Sequence, residues 1–473
     1  MATISTPGIG SGLDVQSIVS QLVALEKAPL RPLQTQATSF QTKLSTYGTI
    51  KSQVAALGDA AAKLSTNGGW NAVTATSSNP TAIGVTAASG AMATSLTLEV
   101  QQLAKAQSTA STAVATGANL GSGTMTIELG SWGSGAFVAG GAAAVNVTIN
   151  PGEETLAQIA AKINDAGAGV SATVLRDASG ERLLMRSSAT GEESAFRISV
   201  TDGDGNNTDA NGLSRLAFDT ANPAGMARTQ VGQNALATVN GVSISSASNR
   251  LSDTLPGLTL QLSQTTTAPV EIGVSADLEA AKKNLQGFVD AYNALNTTLA
   301  NATRYDAGTK TAGVLQGDST AVGLQNALRG MMRSVTASSP FTNLSDIGIG
   351  AATGGALTIN NSKLDAALSN LDGIKALFTT TSTDPTARGF GLKVKAFADG
   401  LINSDGLVSN KTAGIQASIK RNGIEQDRIN DRAARAEVRL LAQYNAMDAA
   451  VGRLNGLSSF VNQQVSLWNK SSG

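Results

Sequence analysis

Apolar residues recur at helical spacing at both ends of the chain and alternate with polar ones through the middle. From Asp14 to Ser65, Gly12 and Asp14 supply a turn and a cap before Ile18, Val19, Leu22 and Leu25. Pro29 and Pro32 interrupt this helix, because proline removes a donor and clashes one turn back. Beyond them Leu33, Ala37, Phe40, Leu44, Tyr47, Lys51 and Val54 step by four and three, a heptad seam broken by Lys51. The seam slips by three to Leu57, Ala61 and Leu64, and Asn67-Gly68-Gly69 stops it.

From Trp70 to Val274 the spacing changes to strand-like alternation: Ser95–Val100, Thr124–Leu129, Val145–Ile149, Val170–Leu175, Arg182–Arg186, Phe196–Val200 and Leu258–Leu262. One helix, Leu156–Asn164, interrupts it, with Ile159 and Ile163 on one face. Helix returns at Asp277, where Leu278, Leu285, Phe288, Val289, Tyr292, Leu295 and Leu299 share a face. Further helices are predicted at Ala321–Thr336, Ser362–Ala367 and Lys393–Ile402, and Ala352–Ile359 reads as a turn into a short strand. From Asn410 to Trp468 the helical signal is strongest: Leu440, Tyr444, Met447, Val451, Leu454, Ser458, Val461, Val465 and Trp468 step by four and three. Upstream, Ile429, Ala433 and Ala436 continue the stripe with one stutter. Arg428, Arg432, Arg435 and Arg439 line a neighbouring face, either solvated or a docking face for an acidic partner.

The pattern predicts an α+β multidomain chain folded as a discontinuous hairpin. A terminal coiled-coil stalk (1–69 and 401–473) leads to a helical bundle (276–400). Two distal β-rich domains follow, one at 70–110 plus 231–275 and the other inserted at 111–230. Paired terminal helices are marginal alone and can fold on meeting a partner.

Composition narrows the chemistry. Among 473 residues there is no Cys and no His, which removes disulfides, thiol nucleophiles, Cys/His zinc sites and His-dependent triads. Thirty-four basic residues balance 34 acidic ones, so no net field draws in nucleic acid or an acidic membrane. Aromatic residues make up 4% of the chain, so its cores rest on Ala, Val, Leu and Ile. No signal peptide or membrane-spanning stretch is visible, which predicts a soluble cytoplasmic chain unless export uses a route without a cleaved signal.

Local motifs add little catalysis. Gly8-Ile9-Gly10-Ser11-Gly12 departs from a dinucleotide fingerprint at Leu13, and no strand precedes it. Asp202-Gly203-Asp204-Gly205-Asn206 is similar to a calcium loop but has Asn207 and Leu213 where that loop needs Gly and Glu; it reads as a polar turn or a weak open site. Glu153-Glu154 and Glu192-Glu193 sit at loop or cap positions, without the aromatic platforms a glycan cleft carries. The N-x-[ST] triplets read as by-products of composition. The terminal seams remain, and such stripes are core or partner surface.

The run Gly8–Leu30 (GIGSGLDVQSIVSQLVALEKAPL) resembles the start of the flagellar filament capping proteins, the hook-associated protein 2 or FliD family. Ile163-Asn164 with Gly169–Ala172, Arg182-Leu183 and Thr190-Gly191 resembles the flagellin hook "IN" motif. Val239-Asn240-Gly241, Asn249 and Gly257–Leu260 are similar to the family's returning strands, and Leu315–Asp318, Leu344–Ile349 and Gly355–Ile359 to its helical domain. At Tyr444–Asp448, Met447 replaces the usual aromatic.

The resemblance implies a structural protein rather than an enzyme, with no cofactor. It implies a ring-like homo-oligomer of about four to six copies at the distal tip of the flagellar filament. The β domains would form a plate and the helical domains legs, promoting flagellin polymerisation beneath the cap. Implied partners are flagellin, the hook–filament junction proteins and a type III export chaperone at the C-terminal helices. Secretion through the flagellar type III apparatus needs no cleaved signal. The seam expected to contact the filament or other copies is Ile18, Leu22, Leu25, Phe40, Leu44, Tyr47, Leu440, Tyr444, Met447, Val451, Leu454, Val461 and Val465. The alternative is a surface adhesin whose Ser/Thr/Asn/Gly-rich β domains bind a host glycan or mucin.

Overall fold

A computed structural model of the chain describes residues 12, 14–133, 135–220, 224–336 and 340–471. The dinucleotide-like run Gly8–Ser11 and Leu13 lie outside the described residues. The chain forms two units, a helical one from Met1–Trp70 and Ala280–Gly473 and a β-rich one from Asn71–Glu279. The helices in chain order are α1 (Val15–Lys27), α2 (Leu30–Leu64), α3 (Leu156–Asp165), α4 (Leu278–Thr303), α5 (Ser319–Met332), α6 (Asn361–Leu368), α7 (Leu371–Thr379), α8 (Phe390–Ile402) and α9 (Leu407–Ser471).

In the helical unit, Asp14 caps α1 by accepting the Ser17 amide at 2.9 Å. The chain breaks helix at Ala28–Pro29 only. Pro32, expected to interrupt as well, sits in the first turn of α2, where its missing N–H has no intrahelical partner to lose. The buried stripe of α2 runs through Tyr47, Ile50, Val54, Leu57, Ala61 and Leu64. The slip of register therefore falls between Tyr47 and Ile50, earlier than the spacing suggested, and Lys51 points to solvent. The strict heptad count runs through Lys51, which masks Ile50 in the sequence.

This stripe packs on α4 to α8 and the start of α9 around a chain of rings: Trp70 on Phe378 at 5.4 Å, Phe378 on Phe390 at 5.7 Å, Phe390 on Phe288 at 5.8 Å. Trp70 also closes the end of α2, its indole N–H donating to the Leu64 carbonyl at 2.8 Å. That return requires glycine at Gly69, where a Cβ would lie 1.9 Å from the Lys63 carbonyl oxygen. α7 was not expected from the sequence; Asn370 caps it on the Gly373 amide, and Ile374, Leu377 and Phe378 are its buried face.

In the β-rich unit, a five-stranded antiparallel sheet has the order Val73–Ser77, Val270–Ala276, Thr94–Gln102, Ala235–Val239, Val242–Ser246. It shares one core with a three-stranded sheet of Arg250–Leu255, Leu258–Leu262 and Ile83–Ala87. A second core, built from residues between Val114 and Met226, packs α3 with the sheets centred on Gly123–Trp132 and Gly180–Ser187. Two strands without a clear alternation in the sequence, the edge strand Val73–Ser77 and the inner strand Ala235–Val239, are rich in Thr and Ala, which blurs the pattern.

Asparagines fasten backbone where no strand continues. Asn249 accepts the Ala104 amide at 2.7 Å and donates to the same residue's carbonyl at 2.9 Å. Asn164 grips Ala172 in the same way, and in the helical unit Asn293 grips Leu357. The Asp202 loop is likewise held by backbone donors: its carboxylate accepts the Ser214 amide at 2.6 Å and Asp204 accepts the Asn206 amide at 2.8 Å. Among the described residues no group of three or more acidic side chains is arranged to hold a metal.

Candidate functional site

The seam joining the chain's two ends is built from α1, α2 and α9. α9 runs antiparallel to both partners: Lys411 lies by Tyr47, Asn422 by Leu33 and Gln36, and Arg432 by Glu26. Its inward stripe is Ile415, Ile419, Asn422, Gln426, Ile429, Ala433, Ala436 and Leu440, each at least partly buried and spaced by four and three.

Three layers differ in chemistry. Where α2 leaves the packed core, the Tyr47 hydroxyl donates to Asp318 at 2.8 Å and Lys411 pairs with the same carboxylate at 2.9 Å. Asp318 also caps α5 through the Thr320 and Ala321 amides. Burial opposes the Asp318 charge, but Lys411 and Tyr47 outweigh it and hold the carboxyl below its ordinary range. Burial first, then Asp318, push the Tyr47 hydroxyl up.

The middle layer is polar. Asn422, buried, donates to the Leu33 carbonyl at 3.1 Å and to the Gln36 carboxamide oxygen at 3.0 Å. It also accepts from Gln426 at 2.6 Å. A buried amide at a seam position pins register, since a slip would strand its donors. Composition does not disclose these residues; their signal was a polar side chain three residues beyond Ile419 on the apolar spacing.

In the outer layer α1 lays Val15, Val19 and Val23 on Ala433, Leu440, Leu441 and Tyr444. Val19 lies on the stripe expected from the sequence, but Val15 and Val23 continue it in place of Leu22 and Leu25. Of the seam residues named there, Ile18, Leu22, Phe40, Leu44, Leu440, Tyr444 and Val451 are half-buried and Tyr47 is fully buried. Leu25 is 71% exposed and Met447 40%. Beyond Val451 the stripe of α9 opens to solvent: Leu454, Val461 and Val465 are 65%, 50% and 48% exposed, joined by Leu457 and Phe460. So the structure brings together the stripe from Phe40 to Tyr444 and leaves its far end facing outward.

The arginine row is locally engaged: Arg428 with Glu425, Arg432 with Glu26, and Arg435 with the Asp431 carbonyl. Charge nevertheless divides by unit. Asn71–Glu279 holds 17 acidic and 9 basic residues, a net −8, whereas the helical unit holds 17 acidic and 25 basic, a net +8.

Terminal helices closing on a helical unit, with a β-rich unit between them in sequence, is an architecture shared with known proteins. Residues 11–107 match the model of the flagellar hook-associated protein 2 N-terminus, and residues 232–456 that of its C-terminus. The flagellar hook-associated protein 2 of Escherichia coli K12 is 32% identical, with 98% of both chains covered. The B-type flagellar hook-associated protein 2 of Pseudomonas aeruginosa PAO1 is 31% identical, covering 95% of this chain and 94% of that one. The crystal structure of the D1-D2-D3 domains of the flagellar cap protein FliD from Escherichia coli matches with a TM-score of 0.61 and 29% identity, covering 78% of this chain and 99% of that one. The chain belongs to the flagellar hook-associated protein 2 family, a family of structural flagellar cap proteins.

Proposed function

We propose that this protein caps the distal tip of the bacterial flagellar filament as a ring of copies, and that it promotes ordered addition of flagellin. It reaches the tip by flagellar export, engages an export chaperone on the way, and meets the hook–filament junction proteins before the filament grows. The observation that carries the reading is the open end of α9, on a chain related over its whole length to flagellar cap proteins. A solvent-facing apolar stripe at heptad spacing is suited to pairing with another helix.

Each large apolar side chain fully buried there contributes roughly 1.5–3 kcal/mol before ordering costs are subtracted. A few such contacts hold the cap, yet each is weak enough to be remade as the cap steps round. The Asp318 layer holds the base of the helix pair while its far end exchanges partners.

A strain lacking the gene is expected to keep its hooks, to form short or no filaments, and to spill flagellin into the medium. The wild-type gene restores filaments, and a triple variant Leu454→Ser, Val461→Ser, Val465→Ser does not, although it is exported and folded. Normal filaments in the deletion strain would overturn the reading.

A further inference from the structure

Aromatic side chains are scarce, yet four gather at one place in the β-rich unit. Trp132 packs on Phe137 at 5.1 Å and on Phe218 at 5.2 Å, and Phe218 on Phe196 at 6.1 Å. Phe196 and Phe218 are buried; Trp132 and Phe137 are half-buried. The group is tightly set. The Trp132 indole N–H donates to the Phe196 carbonyl at 3.0 Å. A Cβ on Gly130 would lie 2.1 Å from the Val138 carbonyl oxygen, so the strand Phe137–Ala139 crosses close beside.

Two arginines cover this group, and their surroundings differ. Arg197 lies over Phe137 at 5.0 Å and is neutralised, bonding Glu128 and lying 3.8 Å from Asp219. Arg228 lies over Trp132 at 5.0 Å and Phe218 at 5.4 Å. Among the described residues no carboxylate comes within ion-pair distance of it. Packing on the rings strips water from its guanidinium and lowers its pKa from the ordinary arginine value. A stacked guanidinium has little further freedom to lose on binding, and its edge still offers donors in a fixed fork. Trp and Arg set in an apolar surround are the residue types that dominate binding energy at protein interfaces.

We propose that Arg228, on its Trp132–Phe218 platform, is a contact site between copies of this chain and receives a carboxylate from the β-rich unit of a neighbouring copy. The choice of occupant follows from charge. Each β-rich unit carries a net −8, so two such units repel unless a cation sits at their contact. The same surplus means a neighbour arrives rich in carboxylates, and Arg228 is a fixed cation with no carboxylate in ion-pair distance among the described residues. A site that binds a different patch of the next copy gives a head-to-tail contact, the kind that builds a ring when the rotation between copies closes. The proposal rests on the self-association required by the capping role.

Sedimentation velocity of the full chain over a range of concentrations, at low and moderate salt, tests it. The wild type is expected to self-associate more weakly as salt rises. Arg228→Gln should weaken association about tenfold and flatten the salt dependence. Arg228→Lys, which keeps the charge but loses the planar stack, should fall between. Arg186→Gln, an equal loss of charge at an exposed position on a strand of the same unit, should match the wild type. Near-ultraviolet circular dichroism checks that the Trp132 group stays packed in each variant. Arg228→Gln associating like the wild type, or Arg186→Gln weakening as much, overturns the proposal and leaves the capping role standing. A wild type that stays monomeric at every concentration overturns the ring and the proposal with it.

Discussion

Asp318 shows how much one side chain can join. It caps α5, accepts the Tyr47 hydroxyl of α2 and pairs with Lys411 of α9, so three segments distant in sequence meet on one carboxylate. Asp318→Ala is expected to destabilise the helical unit by about 1–3 kcal/mol, from the lost cap and a stranded hydroxyl. Urea unfolding followed by circular dichroism measures this. The pH dependence has a fixed sign. A carboxyl held below its unfolded value contributes stability that is complete above about pH 4 and is lost as pH falls through the folded value. The Tyr47 hydroxyl is shifted upward, so its contribution is complete below about pH 10 and is lost as pH rises further. Tyr47→Phe should reduce the alkaline decline, leaving the part that comes from Tyr292, whose buried hydroxyl is also pushed up, and should leave the acid one. In the sequence, the Leu315–Asp318 motif was visible; that Asp318 caps α5 and that Tyr47 and Lys411 converge on it was not, because spacing says nothing of contacts across the chain.

The long terminal helices were plain from their spacing, and the way they meet was not. The heptad pattern marks a face on α2 and a face on α9, but it does not say that Asn422 stands opposite Leu33 and Gln36. A polar layer inside an apolar seam trades stability for register. Asn422→Leu is therefore expected to raise the urea midpoint of the helical unit and to loosen register, seen as mixed pairings when cysteines placed along α2 and α9 are cross-linked. Asn422→Asp should act in the opposite direction, by about 1–3 kcal/mol, because a carboxylate facing the Leu33 carbonyl loses its donors and gains repulsion. The shift of the buried stripe from Lys51 to Ile50 has the same origin: the α4–α8 bundle, not the heptad, selects which side of α2 turns inward.

For the whole molecule, the neutral total of charge conceals a basic helical unit and an acidic β-rich one. Nothing in either unit titrates through histidine, so stability should vary little between about pH 5 and 9, checked by thermal melts across that range. Removing residues 454–473, whose described side chains make little of the helical unit's core, should leave the melting midpoint within about 2 °C yet abolish filament growth in a complementation assay. Loss of stability comparable to that of a core truncation would show instead that the far end of α9 is part of the packed unit.

By itself the sequence determined the elements that rest on local periodicity and turn chemistry. These are the terminal helices, α3, the strands with clean alternation, the stop at Asn67-Gly68-Gly69, and the absence of thiol and imidazole chemistry. Only the tertiary structure decided which apolar positions are satisfied within the chain and which are left for others. Val19 and Leu25 are alike in residue class and share a helix, yet one is covered by α9 and the other is open. Arg197 and Arg228 lie on different rings of one aromatic cluster, yet among the described residues Arg197 has carboxylate partners and Arg228 has none within ion-pair distance. The reason is that hydrophobicity and charge are properties of residues, whereas burial and pairing are properties of neighbours, and the neighbours here are distant in sequence: α9 for Val19, and Glu128 for Arg197.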